Sequence, residues 1–127
     1  MTDKSFLLIL MAYLLCSCGP LENSSNDLIQ ESINDKGKKA LLFIKYGDAT
    51  VDNSLHLSIV KDTGSIGGNA TGNIFIADDS SGSVRKHDVK FLWRHSDTLE
   101  VSYTKRLRIF KSEQQLESVT ILYRQVE

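Results

Sequence analysis

The chain has 127 residues, of which 41% are hydrophobic and 24% are charged, with a formal net charge of −1. This composition is typical of one ordinary folded domain with a single modest core. A net charge so close to zero provides no general attraction for polyanions, so no nucleic-acid partner is expected.

The first 18 residues have the pattern of a secretion signal. A short charged head (Asp3 and Lys4) precedes an unbroken apolar run over residues 6–15, and Gly19 and Pro20 follow soon after. A membrane-spanning helix needs roughly 20 apolar residues, about twice the length of this run. The pattern therefore predicts a cleaved signal helix.

Leu15, Ser17 and Cys18 stand at the positions −3, −1 and +1 of a cleavage site, and they resemble the lipobox of bacterial lipoproteins. Cys16 fits this pattern less well, because Leu15 would then occupy the −1 position, which requires a small side chain. The resemblance implies removal of residues 1–17 and lipidation (palmitate-type acylation) of Cys18. Acyl chains contribute about 0.8 kcal/mol per buried methylene, which would hold the protein on a membrane. An ordinary cleaved signal with a free secreted product remains the alternative.

Cysteine usage restricts the chemistry of the remaining chain. The only two cysteines are Cys16, which the cleavage would remove, and Cys18, which the lipid would occupy. No thiol then remains for a disulfide, a thiolate metal site or a cysteine nucleophile.

Residues 18–27 are small and polar, which predicts a flexible tether. Residues 28–33 fit either a short helix capped by Asn26 or Asp27, or an edge strand. The turn signal at residues 34–37, with Gly37 suited to a left-handed conformation, favours the strand.

Further strands are predicted wherever short apolar or alternating segments lie between polar, glycine-rich loops. These segments are residues 39–46, 55–61, 73–78, 89–94, 99–104, 107–110 and 119–124. The sequence thus predicts a mainly β domain over residues 28–127, an antiparallel sheet or a small β-sandwich of six to seven strands.

The hairpin over residues 89–104 allows its register to be predicted. Alternate residues are apolar over 89–93 and again over 99–103. These two sets share one face only if Trp93 lies opposite Leu99 and Phe91 lies opposite Val101. The simplest loop is then residues 95–97, with His95 in the turn.

Four blocks, residues 34–40, 47–59, 72–78 and 89–93, together resemble a family of small bacterial secreted or lipoprotein domains of uncharacterised function. The resemblance covers residues 34 to about 125. It implies a domain type and an envelope setting, and it supplies no catalytic residues.

Candidate chemical groups are few. His56 and His87 would approach Asp78 and Asp79 if the strand ends cluster, which would give a metal site or a hydrolase centre. Ordinary surface or half-buried histidines are the simpler interpretation. Adjacent carboxylates on a strand point to opposite faces, so turn formation explains Asp78 and Asp79 better. We therefore expect no catalytic residues, no metal and no cofactor.

Residues 85–111 contain eight Lys or Arg and three acidic residues. This local surplus would suit an anionic glycan, a lipid headgroup or an acidic protein partner. Strand alternation explains most of it as a solvated face.

These observations predict a membrane-anchored lipoprotein of the bacterial cell envelope with a non-catalytic binding or structural domain. An immunity-type lipoprotein that inhibits a toxin or hydrolase is the first alternative. A hydrolase that uses His56 or His87 with Asp78 is the second.

Overall fold

The structure, a computed structural model, describes residues 26–47, 52–65 and 70–127, and this part of the chain contains strands and no helix. The nine strands are β1 (Asn26–Ile33), β2 (Lys38–Lys45), β3 (Ser54–Lys61), β4 (Phe75–Asp78), β5 (Val89–His95), β6 (Thr98–Thr104), β7 (Arg108–Ser112), β8 (Gln115–Leu116) and β9 (Val119–Val126). The predicted all-β fold class is confirmed, whereas the described residues form nine strands in place of the six to seven predicted.

The strands form two sheets. The first sheet has the order β1-β2-β3-β4-β7 and the second has the order β5-β6-β9-β8. All pairs are antiparallel except β6 with β9, which run parallel. The second sheet is therefore mixed rather than purely antiparallel. A parallel pair needs a long crossover connection. Here the chain leaves β6, passes through β7 in the first sheet, and returns to the second sheet before β9.

One apolar core lies between the sheets and joins them into a small β-sandwich. It contains alternate strand residues of the inward faces, together with Ile74 and Leu107, which precede β4 and β7. The strand residues are Ala40, Leu42, Ile44, Leu55, Leu57, Ile59, Phe75, Ala77, Val89, Phe91, Leu99, Val101, Val119 and Ile121. Phe75 of the first sheet lies 5.8 Å from the rings of both Tyr103 and Tyr123 of the second. Aromatic contacts of this kind add to the stabilisation from area burial.

Hydrogen bonds also join the sheets along their margins. The Trp93 indole N–H donates to the Ser32 carbonyl at 3.0 Å, and the Asn34 amide donates to the Ser96 carbonyl at 2.7 Å. The Tyr123 hydroxyl lies 3.1 Å from the carbonyl oxygen of Ile74. Burial of that hydroxyl, together with nearby Glu113, raises the pKa of Tyr123.

The predicted hairpin register is confirmed, because Trp93 pairs with Leu99 and Phe91 pairs with Val101. The predicted three-residue loop is wrong in detail. His95 belongs to β5 and pairs with Thr98, and the odd residue count is absorbed by an irregularity between Trp93 and His95. A bulge of this kind adds one residue to a strand without reversing its inward side chains.

The turn between β1 and β2 also follows its prediction. Gly37 has a φ of 75°, a conformation that residues with a Cβ rarely adopt. The Asn34 side chain accepts hydrogen bonds from the backbone N–H groups of Lys36 and Lys38. The ambiguous segment at residues 28–33 is a strand, and β1 begins at Asn26, two residues before the predicted domain start.

The predicted signal peptide (residues 1–17) and nearly all of the predicted tether lie outside the described residues. Within residues 26–47, 52–65 and 70–127, no helix has the length and apolar character needed to cross a membrane.

Candidate functional site

The outward face of the first sheet is covered over β2, β3 and the end of β4, although its residues alternate with the core residues. This covered part, named here the first outer face, contains Leu41, Phe43, His56, Ser58 and Asp78, and all five side chains are buried. On the edge strand β1 the same side is open, because Leu28, which lies opposite Phe43, is 50% exposed. Phe43 lies opposite His56 in the register, and the two rings stack with centroids 5.3 Å apart. The first sheet is thus buried on both sides over β2 and β3.

Both ring nitrogens of His56 are occupied. The Gly72 backbone N–H donates to Nδ1 at 2.9 Å, and Nε2 lies 2.7 Å from the Ser54 hydroxyl oxygen. Because Nδ1 is an acceptor, the proton of the neutral imidazole belongs on Nε2, where it donates to Ser54. Burial, with a smaller contribution from Lys45, lowers the pKa of His56 to about 4. His56 is therefore neutral near pH 7 and holds the backbone of Gly72 against the sheet.

The segment that contains Gly72 leads into β4, and the Asn73 side chain extends the hydrogen bonding between β3 and β4 by pairing with the backbone of Ile59. The Asn73 amide accepts from the Ile59 N–H and donates to the Ile59 carbonyl, both at 2.8 Å. A Cβ at Gly72 would lie only 2.5 Å from the Phe75 carbonyl oxygen. The close approach of this segment explains why glycine occupies position 72.

The carboxylate of Asp78 is held by one cation. Arg108 on β7 donates to both of its oxygens, at 2.8 and 2.9 Å, and the hydrogen bond to Asp78 is the main cause of a raised pKa for Arg108. A bidentate pair of this type satisfies both oxygens of a buried carboxylate. Asp78 thus has a structural partner that the sequence did not identify.

Asp79 and Asp88 share a different cation. They lie at the two ends of the segment that connects β4 to β5, and the Arg106 guanidinium donates to both carboxylates. Asp79 also accepts from the Ser81 N–H, which confirms its predicted turn role. Arg106 therefore closes the connection between the two sheets.

The outward face of the second sheet is open. Seven of its residues are named here the second outer face: Lys90, Leu92, Arg94, Glu100, Ser102, Leu122 and Arg124; Thr98, Thr104, Thr120 and Val126 lie on the same side. Two rows of paired residues cross it: Leu92–Glu100–Leu122, and beside it Lys90–Ser102–Arg124. The leucines are 53% and 52% exposed.

Glu100 is the one acidic residue among the seven that form this face. Arg94 donates to Glu100, and the Arg124 Nε lies 3.7 Å from its other oxygen. The hydrogen bond from Arg94 is the main cause of a lowered pKa for Glu100. With three cations and one anion, the face has an excess of two positive charges.

Two depressions share Lys90, Ser102 and Arg124 in their linings. One, of about 330 Å³, also includes His87, Asp88, Thr104, Val126 and Glu127; the other, of about 180 Å³, also includes Phe91, Leu92, Arg94 and Glu100. Of the three carboxylates, Asp88 is bound by Arg106 and Glu100 by Arg94, and Glu127 follows the end of β9. The row of Lys90, Ser102 and Arg124 therefore presents two cations and a hydroxyl group that suit an anionic group.

The predicted histidine–carboxylate constellation is not assembled. His56 lies on the first outer face, whereas His87 is exposed beside the second, on the opposite side of the sandwich. Asp78 is committed to Arg108. Among the residues that the structure describes, no group of three or more His, Cys, Asp or Glu side chains is placed to hold a metal ion.

Four of the eight cations at residues 85–111 fall into two groups. Arg106 and Arg108 are paired with carboxylates of the first sheet and its connection, whereas Lys90 and Arg94 belong to the second outer face. Arg124 also belongs to this face but lies outside residues 85–111. It reaches the face because β9 pairs with β6 in parallel, which places Arg124 beside Ser102.

Cys18, the predicted lipidation site, lies outside the described residues. Comparison with protein-family models, curated proteins and solved structures finds no match to this chain.

Proposed function

We propose that this chain is a lipid-anchored protein of the bacterial cell envelope whose β-sandwich is a non-catalytic binding or structural module. The observation that carries the proposal is the cleavage-site pattern of Leu15, Ser17 and Cys18 directly after an apolar run of about ten residues. The proposed anchor is the lipid on Cys18, on the periplasmic or surface side of a membrane.

The arrangement of the domain supports this division between anchor and module. Strand β1 begins at Asn26, so seven residues separate it from Cys18. No cysteine follows Cys18, and removal of residues 1–17 takes away none of the described strands. The domain therefore needs neither the signal nor a disulfide for the contacts described above.

A binding role is favoured over catalysis because the candidate titratable groups are hydrogen-bonded within the domain. His56, Asp78, Asp79 and Asp88 each have a partner within the domain: Gly72 for the histidine and Arg106 or Arg108 for the carboxylates. Groups that act on a substrate need an accessible position and a poised proton. These four are instead buried and engaged.

The two cysteines provide a matched pair for the test. We expect Cys18→Ala to abolish incorporation of a palmitate analogue and to release the protein from the membrane fraction of a bacterial host. Cys16→Ala should retain both properties, because the proposed cleavage removes that residue. Equal membrane retention of Cys18→Ala and the unmodified chain would rule out the anchor.

A further inference from the structure

We infer that the second outer face docks on a membrane surface that contains anionic phospholipid. Its two rows carry complementary chemistry. Lys90, Ser102 and Arg124 present charge and hydroxyl donors to phosphate groups, and Leu92 and Leu122 in the neighbouring row present apolar side chains. Neighbouring strands are about 4.8 Å apart, so the backbones at Lys90 and Arg124 lie roughly 10 Å from each other on the two sides of β6.

The excess of positive charge selects among possible occupants. A second copy of the chain would bring two faces of the same sign together, which is unfavourable. An anionic surface is complementary, and each Lys or Arg close to an anionic membrane contributes a favourable interaction. The exposed leucines favour an amphiphilic surface over a purely polar polyanion.

The lining of the two depressions on this face agrees with the assignment. It is mostly polar and charged, whereas small-molecule pockets are lined mainly by hydrophobic and aromatic side chains. Leu92 and Leu122 are about half exposed, and two large apolar side chains beside cations are typical of interfacial membrane contacts.

The inference rests on the proposed function in one respect, which is proximity. The eight residues from Cys18 to the start of β1 can extend to at most ~28 Å. An anchored domain therefore stays close enough for weak contacts to decide which face meets the membrane. The effective concentration of a tethered partner makes such weak contacts sufficient.

The test attaches the domain chemically, so that it does not depend on lipidation in cells. The mature chain, residues 18–127, has Cys18 as its only thiol, which can be coupled to a maleimide lipid in vesicles. Hydroxyl-radical footprinting then reports the exposure of individual leucine and isoleucine side chains. The vesicles contain phosphatidylcholine, either alone or mixed with phosphatidylglycerol.

The chain provides internal controls, because Leu28 and Ile33 of β1 are 50% and 55% exposed but belong to the first sheet. On vesicles with phosphatidylglycerol, we expect the oxidation rates of Leu92 and Leu122 to fall severalfold while those of Leu28 and Ile33 stay unchanged. Added salt should reverse the protection. Absence of protection, equal protection on pure phosphatidylcholine, or protection of Leu28 and Ile33 instead would overturn the inference.

Charge variants sharpen the test. Each removed cation should weaken the face-down preference about fivefold, so Lys90→Gln with Arg124→Gln should remove the protection. The pair Lys36→Gln and Lys61→Gln, which removes the same charge from the turn between β1 and β2 and from β3, should leave it intact. Glu100→Gln should strengthen it about fivefold. Equal effects of the two double variants, or equal protection of Leu92 and Leu122 by soluble polyglutamate, would assign the face to something other than a phospholipid surface and contradict the inference.

Discussion

The outward faces of the two sheets have the same alternating pattern but different surroundings. The first outer face buries Phe43 and His56, and the backbone of Gly72 is hydrogen-bonded to the histidine. The second outer face leaves Leu92 and Leu122 about half exposed. The difference shows that residue type alone does not identify a functional surface. His56, which the sequence offers as a candidate catalytic residue, has a structural role. The accessible charged and apolar side chains instead lie on β5, β6 and β9.

The largest expected difference in stability is between two phenylalanine substitutions, one on each kind of surface. Phe43 is completely buried on the first outer face, whereas Phe110 on β7 is 63% exposed with Arg108 against its ring. We expect Phe43→Ala to reduce the free energy of unfolding by about 4 kcal/mol, because it leaves a cavity. Phe110→Ala should cost no more than ~1 kcal/mol. Urea unfolding of the mature chain measures both, and similar losses would show that the first outer face is not buried.

The next contrast depends on pH. The ordinary histidine pKa of 6.5 applies to the unfolded chain, and the folded value for His56 is about 4. Between these values the unfolded chain binds a proton that the folded chain excludes, so stability is lost as pH falls from about 6.5 towards 4. With allowance for solvent screening, we expect a loss of ~2 kcal/mol across that window.

The control is His56→Gln, which has no imidazole to protonate and retains His87 and His95. Its free energy of unfolding should change much less between pH 6.5 and 5, a range above the ordinary pKa of the carboxylates. Parallel pH profiles for the variant and the unmodified chain would show that His56 is not held neutral.

The smallest expected effect is on the second outer face. Leu92→Ala and Leu122→Ala should each change the free energy of unfolding by no more than ~0.5 kcal/mol, because both side chains project into solvent. Leu41→Ala on the first outer face is the matched control, with an expected loss of ~3 kcal/mol. If either exposed leucine matched Leu41 in urea unfolding, the division between an open and a covered face would not hold.

Local patterns in the sequence were sufficient for most of the fold. Alternation alone determined that Trp93 lies opposite Leu99, since a shift of one residue would expose half of the apolar side chains. Alternation does not depend on strand direction, however, so the parallel pairing of β6 with β9 was not predictable from it. The two-residue strand β8 is too short to show any period.

The candidate site was less predictable, because its decisive contacts join distant residues. Arg106 appeared as part of a basic surplus, yet it is bound to Asp79 and Asp88. The burial of His56 depends on Gly72, which is 16 residues away in a segment that reads as a polar loop. Arg124 joins Lys90 only through the parallel strand. Sequence spacing contains no information about these three pairings.

The proposed attachment of the β-sandwich through a lipid on Cys18 determines the mass of the mature amino-terminal peptide, which mass spectrometry can measure. For protein extracted from bacterial membranes, we predict a peptide that begins at Cys18 and carries the added mass of acyl chains. The same peptide from Cys16→Ala should be identical. An amino terminus at another residue, or an unmodified Cys18, would contradict the account.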